Sequence, residues 1–306
     1  MSLQTFELLI LGSSAATPTS TRNPTAQLLN IAERFFLIDC GEGTQIQMRR
    51  YKARFQSVNH VFISHLHGDH FLGLPGFLAS MHLLGRKNEL TVYGPKELEE
   101  IISVIHKHSE TYLSYPIKFV ATQDKHKQLL WEDDKVEVYS FPLKHRITTT
   151  GFLFKEKQLP RNINKYKLEK LDVSFAEIHK LKQGLDAVDN KGNSIKNADL
   201  TGEPPEPKSY AFCSDTKFFE ELAESIQGVD LLYHESTFLE DKKDRAAITF
   251  HSTAAQAAQM AALANVKQLL LGHFSARYVY LEDFLEEAKP LFNNVSLATE
   301  GKIISI

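Results

Sequence analysis

The chain has only two cysteines among its 306 residues, Cys40 and Cys213. Two cannot build the disulfide framework of a small secreted domain. Each sits in a buried-looking segment, where a free thiol behaves as a small core residue. Long apolar runs are missing as well. None approaches the ~20 residues that cross a bilayer, so no membrane association is expected. Charge of one sign is also lacking, with 35 basic residues against 38 acidic and a formal net charge of -3. That balance gives no general pull toward nucleic acid, and any RNA contact has to come from a local patch. The N-terminus lacks a basic leader with a small-residue cleavage site, and Met1 to Leu11 reads as a strand. The cytoplasm is the expected compartment. What remains, 42% hydrophobic and 24% charged residues, is the composition of an ordinary globular protein long enough for a well-filled core.

The densest chemistry is Ser64-His65-Leu66-His67-Gly68-Asp69-His70. It follows His60-Val61-Phe62-Ile63, which has the β-branched apolar content of a buried strand, and precedes the helical pattern Phe77, Leu78, Met81, Leu83, Leu84. Three imidazoles and a carboxylate therefore sit on the turn between a strand and a helix. In extended backbone His65 and His67 point to one side, whereas Asp69 and His70 must diverge. One pair can serve one metal and the other a second beside it. Neutral imidazole and carboxylate are nitrogen and oxygen ligands of zinc.

Further strands end in polar residues. Asp39 follows a hairpin of Ala26 to Asn30 and Arg34 to Ile38. His145 follows the strand Lys135 to Phe141. Asp215 ends the strand at Tyr210 and is also placed to cap a helix over Lys217 to Ile226. Glu235 follows the strand at Val229. His251 precedes an alanine-rich helix, Ala254 to Ala264, with Ser252 as its expected cap. His273 closes the strand at Lys267, and the segments Val295 to Ala298 and Lys302 to Ile306 complete the sheet. His106 and His108 read as surface residues. Strands alternating with helices indicate an α/β or α+β protein.

Between Phe154 and Tyr210 this pattern stops for longer than an ordinary loop allows. From Lys155 to Lys182 there are eight basic residues against four acidic, a local reversal of the overall charge. Phe175, Ile178 and Leu181 are spaced for a short helix.

Taken together, these motifs resemble the metallo-β-lactamase superfamily. The run from Ser64 to Gly76 is similar to its short-form ribonuclease Z (tRNase Z) branch, as are Gly12 to Pro18, Ser214-Asp215-Thr216, Lys180 to Gly184 and the turn Asp189 to Gly192. The resemblance implies a four-layer αββα sandwich spanning residues 1–306 as a single domain, with a protruding arm inserted at 157–207 that grips transfer RNA. It implies two zinc ions. His65, His67 and His145 would hold one, Asp69, His70 and His273 the other, and Asp215 would bridge them. Asp69 would also accept a proton from the attacking water, His251 would protonate the leaving 3′ oxygen, and Glu235 would orient His251. Asp39 would support the metal loop without ligating. Lys165, Lys167, Lys170, Lys180 and Lys182 would contact RNA. The implied activity is removal of 3′ trailers from precursor transfer RNA, leaving a 3′-hydroxyl, by a homodimer. The arm departs from the family pattern, since Val173 to His179 lacks the usual Gly-Pro pair. A small-molecule phosphodiesterase or thioester hydrolase would share the metal loop without needing the basic arm. A non-catalytic RNA-binding protein would not need the full ligand set.

Overall fold

The computed structural model describes residues 5–306. Met1 to Gln4, the start of the expected first strand, lie outside the described residues. The chain divides into two compact units, one running to Lys155 and resuming at Lys208, the other Glu156–Pro207.

The larger unit holds two seven-stranded mixed sheets. In the first, the strand order is Ile303–Ser305, Phe6–Gly12, Ala26–Ile31, Arg34–Cys40, Val58–Phe62, Leu90–Gly94, Ile117–Ala121. In the second it is Val295–Leu297, Gln268–Gly272, Leu231–Glu235, Ser209–Cys213, Thr150–Glu156, Val136–Pro142, Gln128–Glu132. The two C-terminal segments thus end up in different sheets rather than completing one.

Side chains alternate along each strand, so each sheet has two faces to cover. Leu8, Ile10, Phe36 and Phe62 from the first sheet meet Phe152, Phe154, Phe212, Tyr233 and Leu270 from the second in one shared core. Leu9, Leu37, Val61 and Ile63 face outward, against Met48, Phe77, Met81 and Ile102 of the helices Thr44–Arg50, Leu74–Leu83 and Glu97–His108. Leu153, Leu232, Leu269 and Leu271 face out on the other side, against Ala257, Ala261 and Phe284 of Ala254–Leu263 and Glu282–Ala288. Helix, sheet, sheet and helix make four layers. Burial on both faces is why these strands read as near-continuous apolar runs.

Several sequence expectations need correction. The helix expected over Lys217 to Ile226 is a single turn, Leu222–Ser225, because Thr216 and Lys217 are held by the 143–145 segment instead. The alanine-rich helix is capped by Thr253, not Ser252. The Thr253 side chain takes the Gln256 N–H, and the Gln256 side chain returns to the Thr253 N–H, a capping box. The Ser252 hydroxyl donates to the Thr216 carbonyl at 2.7 Å instead. The half-exposed edge strand Gln128–Glu132 and the helix Lys243–Thr249 have no counterpart in the sequence reading.

The unit Glu156–Pro207 has its own small core of Leu181, Ala187, Ile195 and Leu200. Its helix Phe175–Lys182 is capped by Ser174. The turn at Asp189 is held by its carboxylate, which accepts the Lys191 and Asn193 N–H groups. Phe175 and Tyr166 point to solvent, 90% and 82% exposed.

Candidate metal centre

Parallel pairing sets the carboxyl ends of several strands side by side. Cys213 lies in register with His234, and Glu235 with Gly272. Asp215, Glu235 and His273 therefore emerge at one edge. The loop 64–70 emerges from the facing sheet, and the Thr150 N–H donates to the Ser64 carbonyl at 3.0 Å, tying the two sheets together there. Carboxyl ends of parallel strands are where open α/β sheets place their sites.

Asp39 anchors the loop. Its carboxylate accepts the Ser64 N–H at 2.7 Å, the Ser64 hydroxyl at 2.9 Å and His70 Nδ1 at 2.7 Å. Burial pushes the Asp39 carboxyl up from its ordinary value, against the pull of His70 beside it.

Two donor groups form. In the first, the His65 and His145 Nε2 atoms lie 3.0 and 3.3 Å from His67 Nδ1. Their outer nitrogens are occupied: His65 Nδ1 by the Ser64 hydroxyl at 3.0 Å, His145 Nδ1 by the Phe250 carbonyl at 2.9 Å. Burial, ahead of the neighbouring rings, pushes His65 down to about 3, and burial also lowers His67 and His145. These are neutral imidazoles with converging lone pairs. In the second group, Asp69 Oδ2 lies 3.4 Å from His70 Nε2 and 3.3 Å from His273 Nε2. Thr237 Oγ1 meets His273 Nδ1 at 2.9 Å, and the Ala16 N–H donates to Asp69 at 2.7 Å. Burial opposes the charge on His70, but Asp69, Asp215 and Asp39 together hold its pKa well above the ordinary value.

Asp215 faces both groups. Its Oδ2 is 3.5 Å from His65 Nε2 and 3.8 Å from His145 Nε2, while its Oδ1 is 3.4 Å from His70 Nε2 and 3.2 Å from His273 Nε2. Burial would raise its pKa, but the imidazoles of His273, His70 and His65 hold it well below the ordinary range.

Glu235 is fully buried. It accepts His251 Nδ1 at 2.8 Å, the Thr216 and Ser252 N–H groups at 3.1 Å each, and the Thr237 hydroxyl at 2.7 Å. Burial opposes the charge on His251, yet Glu235, followed by Asp215, pushes its pKa up to about 9. Donor atoms of Asp215, His251 and His273 also come within 4.8 Å of one another.

This donor set fits metal cations. Asp39, Asp69, Asp215 and Glu235 lie in one network, and buried carboxylates need compensating positive charge. Nitrogen and oxygen donors without sulfur suit zinc and its neighbours. Backbone strain gathers here too. Of nine non-glycine residues with positive φ among the described residues, Ala16, Asp39, Phe250 and His273 touch this network, as strained residues at functional sites do.

A cavity of about 530 Å³ opens over the centre, lined by Asp69, Asp215, His251 and His273. It also carries Arg146, Arg245 and Arg277, which no motif marked. Thr237 is another such residue, since only the fold brings its hydroxyl between Glu235 and His273. The five lysines expected to contact RNA lie in the other unit, all exposed. Lys180 pairs with Glu177 at 2.6 Å, and Lys167 donates to the Asp199 carbonyl at 2.9 Å.

Residues 6–159 match the sequence profile of the family described as anti-Pycsar protein Apyc1, a stretch that includes the metal loop and His145 and ends before Asp215. Ribonuclease Z of Cytophaga hutchinsonii is 49% identical over 297 residues, covering 97% of this chain and 95% of that protein. The chain belongs to the ribonuclease Z family. Among solved structures, the short form of human tRNase Z superimposes with a TM-score of 0.70 at 27% identity, covering 98% of this chain and 99% of that one. The metallo-β-lactamase fold protein YhfI of Bacillus subtilis gives 0.69 at 16% identity, covering 99% of this chain and 100% of that one, a likeness of fold. The four-layer sandwich is thus a metallo-β-lactamase fold, here in a ribonuclease Z.

Proposed function

We propose that this chain removes 3′ trailers from transfer RNA precursors as a two-zinc endoribonuclease. The supporting observation is Asp215, which turns one carboxylate oxygen to the His65/His67/His145 group and the other to His70 and His273. Those three histidines would hold one ion, Asp69, His70 and His273 the other, and Asp215 would bridge them. Ions held there would acidify an attacking water and neutralise charge on the phosphoryl group.

The chain supplies the proton transfers. Asp69, held in place by the Ala16 N–H, accepts the proton of the attacking water. The new bond forms at phosphorus and the bond to the 3′ oxygen of the transfer RNA breaks. His251 gives that oxygen its proton, so the transfer RNA leaves with a 3′-hydroxyl and the phosphate stays on the trailer. Glu235 keeps the His251 ring oriented and protonated, as an adjacent carboxylate does. His251 also lies close enough to ligate, but it stands outside the two groups above and its ring is held by Glu235 at 2.8 Å, which supports the proton-donor role.

The 157–207 arm belongs to this reading as the RNA-binding insertion, through Lys165, Lys167, Lys170, Lys180 and Lys182. So do cytoplasmic residence and a homodimer, for which light scattering is expected to give twice the 34.7 kDa of one chain. No helix among the described residues is long and apolar enough to cross a membrane. The test of function is to incubate the zinc-loaded protein with a precursor carrying a 3′ trailer and map the product ends. A cut at the trailer junction leaving a 3′-hydroxyl is expected. An intact precursor, or a cut elsewhere, contradicts the proposal.

A further inference from the structure

One wall of the cavity carries charge that the hydrolysis does not use. The helix Lys243–Thr249 ends just before His251, whose backbone N–H donates to the Ala246 carbonyl at 2.8 Å. Arg245 and Thr249 are four residues apart and share one helix face, and both line the cavity. Arg146 lines it as well. It directly follows His145, whose Nδ1 meets the Phe250 carbonyl at 2.9 Å. Arg146, Arg245 and His251 therefore belong to one continuous stretch of wall.

The two arginines differ from the basic residues around them. Lys144 pairs with Glu221 at 3.2 Å, Lys242 with Asp241 at 2.9 Å and Lys243 with Glu240 at 2.6 Å. Arg277 is held over the Phe238 ring, and its Nε donates to the Ser275 hydroxyl at 3.1 Å. Among the described residues, neither the Arg146 nor the Arg245 guanidinium has an ion-pair partner, although both are exposed and border the cavity. A free guanidinium presents a planar fork that matches two phosphate oxygens.

We propose that Arg146 and Arg245 clamp the RNA phosphate one linkage upstream of the scissile one, the last internucleotide phosphate of the product transfer RNA. The side follows from His251. The residue that meets the leaving 3′ oxygen sits on this wall, so the next phosphate reachable from the wall belongs to the departing transfer RNA rather than to the trailer. The inference rests on the proposed reading of RNA as substrate and His251 as proton donor.

Product binding tests it without requiring a cut. The probe is a fluorescent transfer RNA ending in the 3′-hydroxyl, bound to the zinc-loaded protein and followed by anisotropy. Arg245→Ala and Arg146→Ala are each expected to weaken binding on the order of tenfold. Each is also expected to flatten the salt dependence by about 0.7 in log–log slope, as for loss of one contact to a single strand. A methylphosphonate at the last linkage is expected to cost the wild type a similar factor and to cost Arg245→Ala little more, a coupling seen only if the two groups touch. Arg245→Lys restores part of the loss. Equal losses with intact and neutralised linkages, in variants that melt like the wild type, overturn the clamp. So does coupling to the first trailer linkage in place of the last. Coupling in the binding assay together with a precursor left uncut by the wild type contradicts the proposed activity and not the clamp. Cutting without the coupling contradicts the clamp alone.

Discussion

At the scale of single residues, four of the histidines that converge on the centre are aimed by what holds the other side of the ring. Asp39, Ser64, Thr237 and the Phe250 carbonyl turn His70, His65, His273 and His145 inward. Such outer partners fix tautomer and orientation. His251 stands outside the His65/His67/His145 and Asp69/His70/His273 groups, and Glu235 holds its ring and pushes its pKa up. His251→Ala is therefore expected to keep both metals and cut RNA slower by a factor on the order of 10²–10⁴. A nitrophenyl diester, whose leaving group needs little protonation, should lose much less. Equal losses, or loss of a metal, would remove His251 from the acid role. His60 gives a separate test in pH. It packs against Phe36, Tyr93 and Trp131, and burial lowers its pKa to about 4. Unfolded histidine titrates near 6.5, so the unfolded chain takes up the proton first. The associated stability is full above pH 6.5 and is lost as pH falls toward 4. Denaturant midpoints across that window should fall less steeply for His60→Gln than for the wild type, and identical slopes would rule the residue out as a source of acid sensitivity.

At the scale of elements, the strand ends are what aim the donor side chains. Gly272 is the last residue of its strand and precedes His273. A Cβ there would lie 2.3 Å from the Tyr233 ring, which is fully buried and cannot move aside. Gly272→Ala is expected to destabilise by about 1–3 kcal/mol, the usual cost of overpacking. It should also shift His273 and weaken zinc binding. Unchanged melting and zinc affinity would show that the strand end has room to spare. The inserted unit makes a second prediction at this scale. Removing Asn162 to Lys196 should cripple precursor cleavage and weaken its salt dependence, while hydrolysis of a small diester falls far less. Undiminished RNA affinity, with the circular dichroism spectrum preserved, would count against the insertion as the RNA-binding part. Strands covered on both faces announced themselves as apolar runs. The edge strand Gln128–Glu132, with Leu129 43% exposed, carried no such signal. Nor did Lys243–Thr249, which buries only Ala246, and that helix brings Arg245 to the cavity.

At the scale of the whole molecule, three apolar cores hold the larger unit, and the candidate centre sits where two sheets bring their strand ends together. The loop 64–70 could be read directly because four donors lie within six residues. His145, Asp215 and His273 showed only as polar residues at strand ends, since no spacing along the chain links them, and the resemblance supplied their roles. The arginines of the cavity and Thr237 escaped both routes, because their placement depends on which strands pair in parallel and on where a short polar helix ends. The proposed activity requires Asp215 to join two metal positions. The most direct test is the zinc content per chain, measured by mass spectrometry on wild type and Asp215→Ala purified in parallel. Two ions per wild-type chain are expected, with less than one retained and hydrolysis abolished in the variant. A variant that keeps two zinc ions and near-normal activity would contradict the bridging centre on which the proposed function depends.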